Sequence, residues 1–481
     1  MCKRRTIIYT GIICLSIGFT ACKLPAVINK TENRSVPAVY PVADSKQNDT
    51  TSIAAISWRT YFSDQYLVAL IDTALAANQE LNITFQEIII AQSEVRSRKG
   101  EYLPFAGIQA GAGMEKVSRF TNIGAMEANT GIEPGKKMPE PLQDYFIGLT
   151  AHWELDIWRK LHNAKKAALS RYFASVEGKN FVITNLIAEV ANSYYELLAL
   201  DNQLDMVKQN IGIQGNALEV VKLQKAAARA TELAVRKFEA EVLKTKSLQF
   251  DIQQRITETE NRINFLLGRY PQPIARNEKA LSNSLPASVQ IGIPAQLLAN
   301  RPDIRQAEQD LAAAKLDVKV ARAKFYPSLD ISAAVGYQAF NPSYILKTPE
   351  SMLYSLAGDL VAPLINRNAI KAEYYSANAR QVQAVYNYER TILNAYTEVA
   401  NQMAKIGNLE KSYALRQQQV QALIQSIEIS NDLFRSARAD YMEVLMTQRD
   451  AIESKFELIE TRKQQMNAVV NIYKALGGGW K

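Results

Sequence analysis

Apolar residues recur at alternating steps of four and three along the first half of the chain. One series comprises Leu169, Phe173, Val176, Asn180, Ile183, Ile187, Val190, Tyr194 and Leu197. This rhythm predicts an α-helix with a coiled-coil seam, which Asn180 interrupts as its single polar member. After a slip of one residue the seam continues through Leu200, Leu204, Val207, Ile211, Leu218 and Val221. A return arm repeats the rhythm through Val235, Phe238, Val242, Ile252, Ile256, Ile263 and Leu266. The pattern therefore predicts a long helical hairpin.

The first arm of this hairpin is predicted to be very long. No proline occurs between His162 and Tyr270, and the helical pattern begins near Arg159 and ends near Ala227 and Ala228. A helix of about 67 residues would extend roughly 100 Å. An ordinary helical bundle is the alternative, and it would interrupt such a stretch with a loop every 10 to 20 residues or so.

Alternation of apolar residues with polar or small ones marks the strand candidates, which are residues 105–118, 143–153, 328–340 and 351–364. In the third candidate the apolar positions are Ile331, Ala333, Val335 and Tyr337, and in the second they are Tyr145, Ile147, Leu149, Ala151 and Trp153. Alternation with aromatic residues near the ends is typical of membrane barrel strands. Four strands cannot close a barrel, and an open edge does not occur in hydrocarbon, so several protomers must contribute strands. A small soluble sheet is the alternative.

The chain repeats itself internally. Residues 189–192 (Glu-Val-Ala-Asn) recur at 398–401, and residues 228–230 (Ala-Arg-Ala) recur at 437–439, both at an offset of 209. Upstream, residues 102–104 (Tyr-Leu-Pro) align with residues 325–327 (Phe-Tyr-Pro) at an offset of 223. These matches indicate a duplication in which each copy is a helix, two strands and a long helical hairpin, with about 14 extra residues between the strands of the first copy.

The amino terminus has the features of a secretory signal over residues 1–21. Lys3, Arg4 and Arg5 precede a short apolar run, and small residues precede Cys22. Because Cys2 and Cys14 would be removed with the signal, Cys22 would be the single cysteine of the mature chain, and it follows a lipobox-like segment. We therefore predict lipidation at Cys22, followed by a tether over residues 22–57 that buries too little apolar surface to fold by itself. An uncleaved membrane anchor is the alternative.

Charge and composition argue against several other functions. Removal of Lys3, Arg4 and Arg5 would lower the formal net charge from +8 to +5, and no basic block suggests a nucleic-acid partner. Two histidines, His152 and His162, are too few for a metal centre. The sequence has no nucleophile elbow, zinc-protease motif or phosphate-binding glycine loop. We therefore predict a protein that is not an enzyme and has no catalytic residues, metal or cofactor.

Three segments resemble the TolC-type outer membrane efflux protein family, and the closest resemblance is to its lipoprotein channels. They are residues 300–328, which begin Asn-Arg-Pro-Asp-Ile-Arg, residues 153–158 (Trp-Glu-Leu-Asp-Ile-Trp) and the carboxyl-terminal residues 473–480. The resemblance implies a mainly α-helical homotrimer with a 12-stranded β-barrel in the outer membrane and a 12-helix coiled-coil tunnel in the periplasm. It implies a passive efflux duct that docks, through a periplasmic adaptor protein, onto an inner-membrane pump of the resistance-nodulation-division class.

This family architecture divides the mature chain into further segments. After the tether come a first structural repeat over 58–268, an equatorial linker over 269–300, a second repeat over 301–477 and a terminal piece over 478–481. The proline-spaced composition of the linker fits the equatorial belt that the resemblance implies.

The resemblance also places candidate functional residues. The hairpin tips that would dock the adaptor fall at Ala228, Arg229, Ala437 and Arg438, and the periplasmic gate falls at Met442, Glu443 and Met446. Residues 442 and 446 share one helix face, so methionines could form an apolar plug while three Glu443 carboxylates attract cations. The alternative is that the methionines belong to the coiled-coil seam and Glu443 is simply solvated.

Two positions depart from the family pattern, which usually has glycine at the hairpin tips and just after the second strand. Ala228 and Ala437 occupy the tips, and Arg159 follows the second strand of the first copy. Alanine disfavours a positive φ, so we expect the tip geometry to differ. The competing function is a structural coiled-coil lipoprotein scaffold of the outer membrane, which would explain the helices and the lipid but not the alternating strands.

Overall fold

The computed structural model describes residues 25–40, 52–277, 281, 291–363, 365, 367–436 and 438–480. The signal segment, Cys22 and Ala437 lie outside these ranges. The described chain divides into two units. The sheet unit contains residues 25–31, Ile89–Phe173 and Gln309–Tyr386, and the helical unit contains Glu32–Ile88, Ala174–Glu308 and the chain from Asn387 onward.

The helices in chain order are α1 (Trp58–Tyr61), α2 (Gln65–Ala77), α3 (Gln79–Tyr102), α4 (Asn122–Asn129), α5 (Lys160–Ala226), α6 (Glu232–Leu266), α7 (Leu297–Asn300), α8 (Pro302–Ala323), α9 (Asn368–Arg435) and α10 (Tyr441–Ala475). The predicted long hairpin is confirmed, because α5 runs for 67 residues without a break and α6 returns for 35. The alternative of an ordinary bundle with frequent loops is therefore wrong.

The start of α5 is fixed by one acidic side chain. The carboxylate of Asp156 accepts hydrogen bonds from the backbone N–H groups of Leu161 and His162, at 2.9 and 2.8 Å. These bonds satisfy donors that the first turn of a helix leaves without intrahelical partners. Burial pushes the pKa of Asp156 upward, but the backbone and side-chain hydrogen bonds outweigh it and hold the pKa below its ordinary value. The cap is therefore ionised at neutral pH.

The strands are β1 (Phe105–Glu115), β2 (Gly131–Glu133), β3 (Lys136–Lys137), β4 (Leu142–Leu155), β5 (Ser328–Ala339) and β6 (Met352–Val361). Four of them form one antiparallel sheet in the order β1-β4-β5-β6, and β2 and β3 form a small separate hairpin. The four predicted strands are confirmed, with ends that differ by a few residues. The outer edges of β1 and β6 have no partner strand in the described chain.

The register of the sheet separates apolar from polar side chains. Ile108, Leu149, Val335 and Tyr354 stand opposite one another across all four strands, so they project from the same face. This apolar face is open, with Ile108 and Tyr354 each 80% exposed. The opposite face carries small and polar residues, among them Thr150, Ser332, Ser355, Glu154, Asp330 and Asp359. This separation has exceptions, with Gln143 on the apolar face and Phe105, Phe146 and Leu353 on the opposite one. It is the arrangement that a strand needs between lipid and a polar interior.

The two halves of the helical unit end their helices in the same way. The backbone forms a Schellman cap at Gly268 and again at Gly477. Each cap has two N–H donors, which are Gly268 and Arg269 in the first cap and Gly477 and Gly478 in the second. These caps lie 209 residues apart, and α6 and α10 are each 35 residues long at the same offset. The element order thus recurs along the chain, while the duplication itself stays a prediction.

The turn after α5 is a Schellman cap built on alanine. The Ala228 N–H donates to the Lys225 carbonyl at 2.9 Å, and the Arg229 N–H donates to the Gln224 carbonyl at 2.8 Å. Ala228 adopts a φ of 56°, and Arg159 adopts a φ of 57°. The family usually has glycine at these two positions, and also where Arg367 and Asn368 follow the second strand of the second copy. Ala228 and Arg159 both keep a left-handed backbone, so the expected change of tip geometry is not found at Ala228.

We predict that Ala228→Gly stabilises this tip. A left-handed conformation costs a residue with a Cβ about 1–2 kcal/mol, and the greater freedom of glycine in the unfolded chain offsets about 0.5–1 kcal/mol of the gain. Amide hydrogen exchange over residues 222–234 should therefore slow by about fivefold or less. Ala227→Gly is the matched control at the neighbouring position, where a Schellman cap needs no positive φ, and it should speed exchange. Faster exchange in Ala228→Gly would contradict the strained cap.

Candidate gate and docking residues

The tips of the two long hairpins pack against each other in the helical unit. A buried cluster at the end of the first hairpin contains Leu218, Val221, Ala234, Val235, Phe238 and Val242. Phe434, Tyr441 and Leu445 of the second hairpin pack onto this cluster. The fold therefore brings the predicted docking segments and the predicted gate into one region, although they are about 200 residues apart in sequence.

The gate candidates lie in the first two turns of α10, outside its buried face. Val444, Gln448 and Ala451 form that buried face. Glu443 is exposed, Met446 is 50% exposed, and Met442 is half-buried. Met446 is thus not a seam residue within this chain, which weakens the alternative assignment. The role of these side chains as a gate stays a prediction.

Sequence reasoning missed one neighbour of the gate. The Lys237 ammonium lies 3.4 Å from the sulfur of Met442, so α6 places a cation beside the candidate plug. The internal repeat could have suggested that Lys237 lies near the gate, because the offset of 209 makes Lys237 the counterpart of Met446. The first hairpin therefore contributes a cation to the region where the second contributes methionines and a carboxylate.

The docking candidates carry one arginine on each tip. Arg229 and Arg438 are exposed, and within the described ranges neither guanidinium forms an ion pair. The backbone N–H of Arg438 donates to the Leu433 carbonyl at 2.8 Å, which matches the bond from Arg229 to Gln224 at the offset of 209. Ala437 falls outside the described residues. The two described arginines are equivalent in backbone setting and available to a partner.

The segment that begins Asn-Arg-Pro-Asp has a structural role. The buried guanidinium of Arg301 donates to Asp303 at 2.7 Å, to Glu398 at 2.8 Å and to the Ala475 carbonyl at 2.8 Å. Burial alone would lower the pKa of Arg301, but the two carboxylates outweigh it and raise the pKa, so the group stays charged. One side chain thereby joins the start of α8, the middle of α9 and the end of α10.

The carboxyl-terminal segment packs on the same place. The Trp480 indole N–H donates to the Asn300 carbonyl at 3.1 Å. A Cβ on Gly477 would approach the Asn300 carbonyl oxygen to 2.6 Å, and Gly477 has a φ of 86°, so glycine is required there. Two of the segments that carry the family resemblance therefore contact each other.

Metal chemistry finds no support in the described part of the chain, where no group of three or more His, Cys, Asp and Glu side chains could hold an ion. His162 instead lies 2.8 Å from the Asp156 carboxylate at the start of α5. None of the helices in the described ranges has the length and apolar character of a membrane span.

Comparison with known proteins places the chain in a family. The model of the family described as "Outer membrane efflux protein" matches residues 70–269 and 293–478. The pyoverdine export outer membrane protein OpmQ of Pseudomonas aeruginosa is 27% identical over 97% of this chain and 96% of its own length. The cation efflux system protein CusC of Escherichia coli K12 is 26% identical over 97% of this chain and 98% of its own length.

Solved structures agree on the fold. The outer-membrane channel OprN superposes with a TM-score of 0.83 at 23% identity, covering 95% of this chain and 99% of that one. A CusC structure gives a TM-score of 0.80 at 24% identity, covering 94% and 99%. With the family model matching most of the sequence in two long segments, the chain belongs to the outer membrane efflux protein family.

Proposed function

We propose that three copies of this chain form a passive export channel of a tripartite efflux system. The observation that carries the proposal is the four-stranded sheet, which in the described part of the chain has two open edges and one largely apolar face. Backbone N–H and C=O groups at an open edge would remain without hydrogen bonds in hydrocarbon, which is costly. Pairing β1 of one copy with β6 of the next removes every edge, and three copies give a closed barrel of twelve strands.

The long helices would form the periplasmic part of the duct. Each copy would contribute α5 with α6 and α9 with α10, so three copies would form a wall of twelve long helices. The polar face of the sheet, with Thr150, Ser332 and Ser355, then lines the barrel and lets water and solutes pass. A coiled-coil scaffold would leave this segregated sheet without a purpose.

The partners follow from the tips and the amino terminus. The exposed Arg229 and Arg438 lie at the hairpin ends where a periplasmic adaptor protein would dock and link the channel to an inner-membrane pump of the resistance-nodulation-division class. Lipid on Cys22 would anchor the chain in the outer membrane. The relatives are named for pyoverdine, toluene and cation export, so we infer that the pump rather than the duct selects the cargo.

Oligomeric state gives the first test of this architecture. We expect purified protein in mild detergent to have the mass of three chains, because a single copy cannot close its sheet. Mass should be measured by light scattering with the detergent contribution subtracted, and heating in denaturant should convert the species to monomer. A monodisperse monomer that still conducts ions in a bilayer would contradict the shared barrel.

Single-channel conductance tests the gate. Met442→Ser and Met446→Ser should raise conductance in planar bilayers, because each removes an apolar obstruction that opposes wetting of the constriction. Glu443→Gln should weaken the preference for cations. Glu453→Gln is the matched control, since it neutralises another exposed carboxylate ten residues further along α10. If all three gate variants give the same single-channel traces as the parent, the constriction lies elsewhere.

Docking at the tips can be tested apart from folding. Ala228→Glu places a charged side chain on the first tip and should abolish export, while the trimer and its conductance remain intact. Ala437→Glu should do the same on the second tip. Ala226→Glu, at the exposed last residue of α5, is the control and should export normally. Normal export by both tip variants would show that the adaptor does not bind there.

A further inference from the structure

Three amide side chains lie on one face of α5 at intervals of eleven residues. They are Asn192, Gln203 and Gln214. Because three turns of an α-helix take about 11 residues, these positions face the same neighbouring helix. Gln203 is 5% exposed and Gln214 is 2% exposed. Glutamine is mostly found on protein surfaces, so two buried glutamines at a regular interval call for a specific role.

The neighbour is α10, which runs antiparallel to α5 in the helical unit. The Asn192 side-chain amide donates a hydrogen bond to the Asn471 side-chain oxygen at 3.1 Å. Two apolar contacts follow along α5, in which Phe456 packs on the cluster that contains Val207 and Leu445 packs on the cluster that contains Leu218. From each contact to the next, the step forward along α5 equals the step back along α10. The two helices therefore keep one register between these contacts.

This register gives each of the three amides a polar counterpart on α10. Gln203 and Glu460 line the same cavity, which has a volume of about 440 Å³. Gln214 comes opposite the segment of Gln448, which is itself only 5% exposed. We call these sets the amide layers: the first is Asn192 with Asn471, the middle is Gln203 with Glu460, and the last is Gln214 with Gln448.

The middle and last layers do not strengthen the packing that they interrupt. Among the described residues, neither amide atom of Gln214 has a hydrogen-bond partner, and the same is true of the side-chain oxygens of Gln203 and Gln448. A buried amide without hydrogen bonds is less stable than an apolar side chain of similar size. In coiled coils, a buried polar residue instead selects one register and one partner at a cost in stability.

A slip of α10 by one turn along α5 would be unfavourable in both directions. In one direction Gln214 would come opposite Leu445, and in the other Asn192 would leave Asn471 and come opposite the buried Ala475. Each slip places an amide against an apolar side chain. The apolar residues alone discriminate less between registers, because they recur along both helices at steps of three and four.

The layers are specific to this pair of helices. At the offset of 209, the counterparts of the layer residues on the other two long helices are Asn401, Ser412 and Leu423 in α9 and Glu239, Asp251 and Arg262 in α6. Only one of these six residues is an amide, and all six are exposed or half-buried. The internal repeat therefore does not account for the layers, which distinguish α5 and α10 from α6 and α9.

The last layer adjoins the gate candidates, since Gln448 follows Met446 by two residues on α10. We propose that the amide layers are positioning residues, which hold α10 in one register against α5 and thereby set the height of the gate along the duct. The inference rests on the gate proposed above. A slip of one turn would move the gate residues by about 5 Å along the helix axis. It would also carry Met442 away from Lys237, whose ammonium lies 3.4 Å from the Met442 sulfur.

Four variants separate the effect of the amides from the effect of packing. Gln214→Leu with Gln448→Leu fills the last layer with apolar side chains of similar size, and Gln214→Asn with Gln448→Asn keeps amides there. Gln209→Leu is the matched control, because it makes the same chemical change at an exposed position of α5. Gln203→Leu alters the middle layer, beside its cavity, and carries the test if the double Leu variant does not fold.

A disulfide within one chain reports the register. Val207→Cys with Phe456→Cys should cross-link in the observed register, and Val207→Cys with Ile452→Cys should cross-link only after a slip of one turn. We expect the slipped cross-link to be minor in the parent background. It should rise about fivefold in the double Leu variant and also in Gln203→Leu, the factor expected for the loss of one interaction as strong as a hydrogen bond. The double Asn variant and Gln209→Leu should match the parent.

Heat resistance and single-channel conductance separate positioning from a merely structural role. The double Leu variant should resist heat at least as well as the parent, because no unpaired amide remains in its last layer. In planar bilayers it should nevertheless show several conductance levels where the parent shows one main level, because the gate then occupies more than one height. A loss of ordinary packing would instead lower heat resistance and leave a single level.

The results that would overturn the proposal are specific. A folded Leu variant that keeps the cross-linking ratio and the single conductance level of the parent would show that the layers do not position the gate. A double Asn variant that slips as the double Leu variant does would show that the amide group is irrelevant. A parent that does not conduct would contradict the proposed channel, and the cross-link within one chain would still report whether the layers fix the register.

Discussion

Backbone hydrogen bonding at the two edges of the sheet is the constraint on which the rest of this molecule depends. Among the described residues of one chain, β1 and β6 have no partner strands on their outer sides. An apolar face with Ile108 and Tyr354 four-fifths exposed is stable only in lipid, and lipid does not tolerate unpaired backbone groups. In the proposed channel, only an oligomer can satisfy both demands, so oligomerisation would be a condition for residence in the membrane.

The long helices are a consequence of the same constraint. In the proposed trimer, three copies that share a barrel would also bring their helices together around one axis. The seam between α5 and α6 provides the apolar contacts that hold the first hairpin of each copy. A buried ion-pair network joins three of the helices within a copy. Arg301 binds the carboxylates of Asp303 and Glu398 and the last carbonyl of α10. These partners compensate the cost of burying its charge, and the guanidinium thereby links the three helices.

Periodic features were predictable from the sequence and contacts between distant residues were not. Apolar residues at steps of three and four predicted α5 and its return arm, and alternation of apolar and polar residues predicted the apolar face of β4 and β5. Both patterns involve only residues that are close in sequence, because one turn of a helix or one repeat of a strand is short. The contacts of Lys237 with Met442 and of Arg301 with Glu398 could not be predicted in this way. Each pair depends on how elements far apart in sequence are packed, and no local pattern encodes that.

Two strained backbone positions show where the overall fold overrides the conformational preference of a single residue. Glycine would adopt the left-handed conformation at Ala228 and Arg159 at little cost, yet both positions carry a Cβ. The cap at Ala228 persists because two backbone hydrogen bonds and the cluster around Phe238 hold the hairpin end from both sides. The tip is thus strained but over-determined, a combination that keeps its shape fixed when a partner binds. A glycine there would ease the strain while keeping the left-handed turn that positions Arg229. We infer that a rigid tip lowers the ordering cost of docking, since side chains already held in place lose less freedom on binding.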